Sequence, residues 1–493
     1  MKQEIIRRMK QFDFSREFVI DASKDRHYTY EEFFGRCLTL SELYCATGEV
    51  HKHIVFIMEN SVELLAGYFG AMMAGKIATA IDPVKEQEEI AKILESVTDK
   101  FVVVDAAGKV KVTSYDVVFD AGEFEITEVA GGNIKEKTLE KFERRNFDDD
   151  FLLTFTSGTT GNTKGVRHTL NNLVKTGDAF NRYFSVGESN MLAHYMPMTY
   201  MAGILNSIIQ PFIAGAKIVV MGRFSPFKAF TFWQDVVKYQ VNTFWLSPSM
   251  LTIILKASKH SLGQEYCKDR NLLFFIGTAP LHLKTREEFE AKYPVKLYAS
   301  YGLSETLFLS TETPETLALG GGNVGKLLEG VEYKFGHDGE FLVRVPWMFL
   351  GYTNEPTEKY FDGDYYKTGD LAEIKDGILA ITGRSKDLII KGGMNISPAL
   401  IESVVTSVEG VEECSVFSVL NKFKEELVVL GYSTQLKETE ELEKKIAATV
   451  LSALGKNYQI DSFFRVTSIP KNVNGKNDKK VLVEKYNKEV GVC

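Results

Sequence analysis

Apolar and polar residues follow two periods along this chain and switch between them repeatedly. HIVFIM (53–58), KIATAID (76–82) and FVVVD (101–105) are short, nearly continuous apolar runs, which predicts buried strands. Between them, SVELLAGYFGAMMAG (61–75) repeats apolar positions at helical spacing and ends in glycine, and EQEEIAKILESVTD (86–99) is helical with a charged face. Strand–helix–strand alternation of this kind predicts a parallel, doubly wound sheet. The pattern returns in AKIVVM, NTFWLS, LLFFIG and KLYASYG, so a second sheet of the same class is expected. Such sheets bind ligands beyond the carboxyl ends of their strands. The longest apolar stretch, Met201 to Met221, contains Asn206, Gln210, Pro211 and Lys217, so a buried helix leading into a strand is expected there, not a membrane span.

The texture changes near residue 384. A charged, glycine-rich stretch, GRSKDLIIKGG, leads into strands CSVFSVL, LVVLGYST and FFRVTSIP, with the helix ETEELEKKIAATVLSAL among them. The expected organisation is α/β: a large N-terminal domain (1–383) with doubly wound sheets, a hinge (384–388) and a small α+β C-terminal domain (389–493). The length of 493 residues agrees with roughly two to four domains. Composition adds limits. A net charge of −8 with no basic block argues against a nucleic-acid binder. The five cysteines are odd in number, widely spaced and form no C-x-x-C, which points to free thiols in a reducing compartment. The first residues, MKQEIIRRMKQFDF, carry charges throughout and hold no apolar core of a secretory signal, so a cytoplasmic protein without stable membrane insertion is expected.

Candidate chemistry begins at FLLTFTSGTTGNTKGV (151–166). A strand enters a loop in which glycines let backbone N–H groups approach phosphate oxygens, hydroxyls add donors and Lys164 adds charge. It is not a Walker A loop, which would need Gly at 163 and Ser or Thr at 165. GGGNVGKL (320–327) satisfies G-x-G-x-x-G, but Leu327 has no hydroxyl for a metal and TETPETLAL before it does not read as a strand; a structural turn is expected.

The loop at 151–166 resembles the phosphate loop of the adenylate-forming superfamily, which includes acyl-CoA synthetases, peptide-synthetase adenylation domains and firefly luciferase; Thr163 stands where the family usually has proline. GTAPL (277–281) resembles the family's adenine-side turn, SYGLSET (300–306) its Tyr-Gly-x-Thr-Glu motif with Ser304 for threonine, and YKTGD (366–370) its ribose motif. GRSKDLIIKGGMNISPALIE (383–402) is similar to the hinge motif and PKNVNGK (470–476) to the C-terminal lysine motif. Six matches in family order span nearly the whole chain. The resemblance implies an ATP site of Thr156, Ser157, Gly158, Thr159, Thr160, Gly161, Lys164, Gly277, Ala279, Pro280, Ser300, Tyr301, Gly302, Ser304, Asp370 and Arg384. It implies that Tyr301 stacks on adenine, Ser304 contacts the α-phosphate, Asp370 and Arg384 hold the ribose, Glu305 binds magnesium, Lys386 is the hinge pivot and Lys476 bridges the reacting carboxylate and the α-phosphate.

The residue types suit the chemistry so implied. A carboxylate attacking the α-phosphorus of ATP brings two anions together while charge builds on pyrophosphate, and positioned cations lower that barrier. Lys164, Lys476 and a magnesium ion on Glu305 would supply them. The acyl group then passes to a thiol, either coenzyme A, the favoured acceptor, or the phosphopantetheine arm of an acyl carrier protein. MPMTYMAG (196–203) resembles the segment lining the acid pocket, with Tyr200 and Met201 facing the substrate and Trp233, Ile276 and Leu303 as further walls by family position. No Asp or Glu occurs between Met191 and Met221, which disfavours an amino-acid substrate because a buried ammonium would lack a counter-ion. The aromatic walls suggest a short or aromatic small-molecule carboxylic acid. Two other classes stay in view: a phosphotransferase, which would need the missing Walker hydroxyl, and a non-catalytic nucleotide sensor, which would be expected to have lost Lys476 or Glu305.

Overall fold

In a computed structural model of the chain, residues 1–112, 118–120, 133–157, 163–258, 261–317, 323–337, 339–391, 394–421, 426–471 and 477–490 are described. The expected strands form, and they sort into sheets as alternation predicts. The seven-stranded sheet holds the parallel strands His53–Ile57, Ile77–Ile81, Lys100–Val104, Asp150–Ser157 and Val118–Asp120, then turns antiparallel at Thr163–Thr169 and Gly351–Tyr352. The nine-stranded sheet is parallel through Glu17–Asp21, Lys217–Val220, Met191–His194, Thr243–Leu246, Leu273–Ile276 and Leu297–Leu303.

Local chemistry sets the helices between them. Ser61 accepts from the Leu64 N–H to start Val62–Ala74, and Gly75 ends it at φ 74°, a left-handed conformation that glycine adopts without strain. Met201–Ala214 runs as one helical stretch, but its ladder widens to π-type hydrogen bonding over Leu205–Ile209, ahead of Pro211. Proline has no N–H to give the ladder, and local widening accommodates it.

A third sheet was not expected. Glu332–Phe335, Glu340–Arg344, Phe361–Asp362, Tyr365–Lys375 and Ile378–Arg384 form a five-stranded antiparallel sheet, so doubly wound sheets are only part of the large domain. Beyond it, Ile389–Lys391 and Met394–Ile396 form a hairpin, and Glu413–Leu420, Glu426–Ser433 and Ser462–Arg465 form a three-stranded sheet covered by Pro398–Thr406, Glu440–Leu454 and Lys479–Val490. This small α+β domain has its own core, with Ile401, Val405, Val416, Leu430 and Ile446 at its centre. Among the described residues Cys37, Cys45, Cys267 and Cys414 are free thiols, and no helix is long and apolar enough to cross a membrane. Gly325, at the close of the G-x-G-x-x-G segment, sits in a turn against the 307–311 strand, its N–H held by the Asn323 side chain; residues 318–322 lie outside the description.

Candidate active site

Three sheets converge on one turn. The antiparallel pair Leu297–Leu303 and Leu307–Thr311 closes at Leu303 opposite Leu307, leaving Ser304, Glu305 and Thr306 as a tight turn. Leu307 takes φ 55°, and a Cβ on Gly302 would meet the Leu307 carbonyl at 2.1 Å, so the turn needs glycine there. All three turn carbonyls have donors from other segments. The ring Nε2 of His168 meets the Ser304 carbonyl at 2.7 Å, the Phe349 N–H meets Glu305 at 3.0 Å, and the Trp347 indole N–H meets Thr306 at 2.9 Å. Burial pulls His168 down to about 4, so it stays neutral at pH 7 with its proton on Nε2. The Glu305 carboxylate is therefore mounted on a fixed backbone.

The side chain is oriented as well. The Tyr352 hydroxyl donates to Glu305 Oε1 at 2.6 Å and meets the Tyr366 hydroxyl at 3.0 Å. Burial, then the Glu305 charge, pushes both tyrosines up, so they stay protonated donors. One strand before Glu305, the Tyr301 hydroxyl donates to Asp370 Oδ2 at 2.6 Å, while Arg384 Nε lies 2.8 Å from Asp370 Oδ1. Asp370 is 2% exposed, so its charge is balanced by Arg384 and by the hydroxyl. Burial opposes the Arg384 charge, but Asp370, Tyr301 and Asp387 together outweigh it and raise the group. Tyr200 caps the helix beginning at Met201, within electrostatic reach of Glu305 and Arg384; burial first, then Glu305, raises its hydroxyl.

Thr156 and Lys164 face each other across the hairpin that carries the phosphate loop. Lys164 reaches away toward Glu355 Oε1 at 2.8 Å and donates to the Tyr360 hydroxyl. Gly277 continues from Leu273–Ile276, its N–H donating to the Leu246 carbonyl at 3.1 Å, and Thr278 beside Ala279 and Pro280 is held at φ 71°. A β-branched residue there is strained, and such strain clusters where a backbone is shaped for a ligand. Ser300 pairs its hydroxyl with Thr311 at 2.9 Å. Gly158, Thr159, Thr160, Gly161 and Lys476 lie outside the described residues, as does the Ser157 side chain. Lys471 and Asn477, which flank 472–476, bridge to each other, and Lys471 with Glu402 lies within electrostatic reach of His282, just beyond the adenine-side turn. Lys386 is exposed in a short 3-10 turn, Ser385–Asp387.

The four further pocket candidates do not come together. Met201 and Leu303 pack on one face of the nine-stranded sheet, whereas Trp233 and Ile276 belong to the core on the opposite face. The Trp233 and Tyr293 rings lie 4.6 Å apart at a tilt of 44°, and a Cβ on Gly263 would fall 2.4 Å from the indole. The space around the indole is filled by helix packing, so Trp233 is a core residue and not a pocket wall. The residues missed by motif reading are Tyr352, Tyr366, Glu355 and Tyr360; the density of tyrosines over 352–366 was the available signal.

The chain also resembles known proteins over most of its length. The AMP-binding enzyme profile matches residues 6–353 and the AMP-binding enzyme C-terminal domain profile matches residues 400–476. It is 26% identical to the long-chain-fatty-acid–CoA ligase FadD13 of Mycobacterium tuberculosis, over 96% of this chain and 95% of that ligase. It is likewise 26% identical to the 2-succinylbenzoate–CoA ligase of Oceanobacillus iheyensis, over 91% of this chain and 92% of that one. ATP-bound MatB from Rhodopseudomonas palustris shares the fold with a TM-score of 0.82 at 24% identity, covering 99% of this chain and all of MatB. With the profile spanning residues 6–353, more than half the chain, and the site built from the motifs themselves, this chain belongs to the AMP-binding enzyme family.

Proposed function

We propose that the chain is an AMP-forming acid–thiol ligase that adenylates a small carboxylic acid with ATP and transfers the acyl group to coenzyme A. The observation that carries this reading is the Tyr301–Asp370–Arg384 network one strand from the braced Glu305 carboxylate. A buried carboxylate held from two sides is suited to accept ribose hydroxyls, and Tyr301 offers a ring for adenine. In the first step an acid oxygen attacks the α-phosphorus, the bond to the β-phosphate oxygen breaks, and pyrophosphate leaves. Lys164 and the phosphate-loop N–H groups balance the phosphate charge, and Lys476 neutralises the meeting of carboxylate and α-phosphate. In the second step the thiol sulfur attacks the acyl carbonyl and AMP leaves. Glu305 would fit a magnesium ion: it is an oriented carboxylate whose Oε1 is steadied by the Tyr352 hydroxyl, and a carboxylate oxygen suits a hard cation. When bound, the ion would offset charge on the departing pyrophosphate.

The domain division at 383 and 389 is supported by the separate small-domain core and the 3-10 turn at Ser385–Asp387. The small domain rests on the large one through Lys284 Nζ to the Val411 carbonyl at 2.9 Å and Ser397 Oγ to the Thr382 carbonyl at 2.6 Å. With Lys471 near His282, this supports an adenylating pose. The relatives named as CoA ligases support coenzyme A over a carrier protein as acceptor. Free thiols support the cytoplasm as the location. With Trp233 removed from the pocket, Tyr200 alone supports an acid of modest size, and the acid-free segment 191–221 supports one without an α-ammonium. Pyrophosphate exchange over a panel of carboxylic acids, followed by thioester assay with coenzyme A or a pantetheinylated carrier, tests the reading. It predicts exchange that depends on added acid and a coenzyme A thioester; exchange indifferent to every acid contradicts it.

A further inference from the structure

No motif marks the segment 351–360, yet it surrounds Lys164. Gly351 and Tyr352 pair with Arg167 and Val166, the Thr353 N–H donates to the Gly165 carbonyl at 2.9 Å, and the Asn354 side chain donates to the Thr163 carbonyl at 2.7 Å. The approach is close: a Cβ on Gly165 would lie 2.3 Å from Thr353 Oγ1. This strand fixes a corner into which Lys164 points. Its ammonium sits 2.8 Å from Glu355 Oε1, donates to the Tyr360 hydroxyl, and lies 4.2 Å and 5.0 Å from the centroids of the Tyr360 and Tyr352 rings. The side chains of Lys164 and Glu355 are 16% and 18% exposed, so the pair is shielded from water on most sides. Glu355 Oε1 has no hydrogen-bond partner among the described residues beyond this ion pair, whereas Oε2 accepts the Tyr360 hydroxyl at 2.8 Å and the exposed Lys359 ammonium.

We propose that Glu355, with Tyr360, is a positioning latch that holds Lys164 in reserve until the triphosphate of the nucleotide takes the ammonium by exchange of one anion for another. The inference rests on the reading of Lys164 as a phosphate-binding residue. Two features make the exchange easy. Lys359 stays with Glu355 when Lys164 leaves, so no bare carboxylate is stranded in a half-buried corner. One side chain, Tyr352, touches both groups: its ring lies 5.0 Å from the latched ammonium and its hydroxyl holds the Glu305 carboxylate. Burial opposes the charge on Lys164, but Glu355 and Tyr360 outweigh it and raise the group, so the latched lysine is fully cationic. A contact present only without ligand is a tax on ligand affinity, and removing it tightens binding.

The test is ATP binding by calorimetry, with kinetics alongside. Glu355→Gln keeps the shape and drops the charge; the Kd for ATP falls about fivefold, the worth of a half-shielded ion pair, and the change in steady state falls on KM for ATP and not on kcat. Glu355→Asp, which keeps the charge, returns most of the way to wild type. In a Lys164→Ala background, Glu355→Gln loses most of its effect, since the two act as one pair. Misfolding does not tighten binding, so a gain of affinity is not open to that explanation. Weaker ATP binding in Glu355→Gln, or equal tightening with and without Lys164, overturns the latch. If Lys164→Ala alone binds ATP like wild type, it is the phosphate assignment beneath the latch that falls.

Discussion

At the scale of single residues, the site is built from side chains whose partners are fixed before any ligand arrives. Glu305 is held by Tyr352, Asp370 by Tyr301 and Arg384, and Lys164 by Glu355. Lys476 is assigned by its motif alone, and it carries the sharpest prediction. A unit charge at about 4 Å is worth roughly 4 kcal/mol at an effective dielectric near 20, and about 1.4 kcal/mol is tenfold in rate. Lys476→Ala therefore slows adenylation about a thousandfold while thioester formation from supplied acyl-AMP survives, which single-turnover assays of each half-reaction measure. The two aromatic candidates now part company. Tyr200→Ala widens the range of accepted acids toward bulkier ones, as a substrate panel reads out. Trp233→Ala leaves that preference alone and costs about 3–5 kcal/mol of stability by opening a cavity, as a denaturant midpoint reads out. The indole was misassigned because family position says nothing about sheet face. Phe275 and Ile276 are neighbours in one strand yet belong to different cores, and Trp233 falls with Ile276.

At the scale of elements, what was legible in the sequence was whatever a period could encode. The runs 53–58, 101–105 and 272–277 become the strands His53–Ile57, Lys100–Val104 and Leu273–Ile276 because both faces of each are covered. The antiparallel sheet over 332–384 is hard to read in the sequence for the opposite reason: Glu332–Phe335 is mostly exposed and Phe361–Asp362 is two residues long, so neither carries a pattern. The corner around Lys164 was invisible because Tyr360 lies 196 residues away in sequence. The strand Thr163–Thr169 does carry a checkable consequence. Its His168 is pulled down to about 4 by burial, as are His53 and His194. A histidine depressed from 6.5 in the unfolded chain contributes stability that is complete above pH 6.5 and is lost as pH falls toward 4, because the unfolded state binds the proton first. For buried His168 the loss is of order 3 kcal/mol. Urea unfolding at pH 7.5 and pH 4.5 measures it, and His168→Gln, which can still donate to the Ser304 carbonyl, flattens the dependence. An equally steep dependence in the variant removes His168 from this account.

At the scale of the whole molecule, one small domain is asked to serve two reactions. Under the proposed function it has to place Lys476 on the phosphates in one step and admit a thiol to the same carbonyl in the other, so we propose that it turns between half-reactions; hinges work through a few backbone angles. Lys386 sits exposed in the Ser385–Asp387 turn and belongs to neither the large-domain core nor the small-domain core. Proline locks φ near −65° and costs roughly 3 kcal/mol where the backbone disagrees. Lys386→Pro should keep acid-dependent pyrophosphate exchange and lose transfer from acyl-AMP to the thiol by orders of magnitude. Silence in both assays makes Lys386 an ordinary linker residue, and loss of adenylation alone reverses the assigned pose.

The central claim is that ATP is cleaved at its α-phosphorus by a carboxylic acid. The direct measurement is a quenched turnover with ATP labelled at the α-phosphate, run with and without an acid panel and with no thiol present. The account predicts label in an enzyme-bound acyl-AMP, formed only with an accepted acid, and an equal amount of pyrophosphate. Label recovered as ADP, or as AMP at the same rate without any acid, would contradict it.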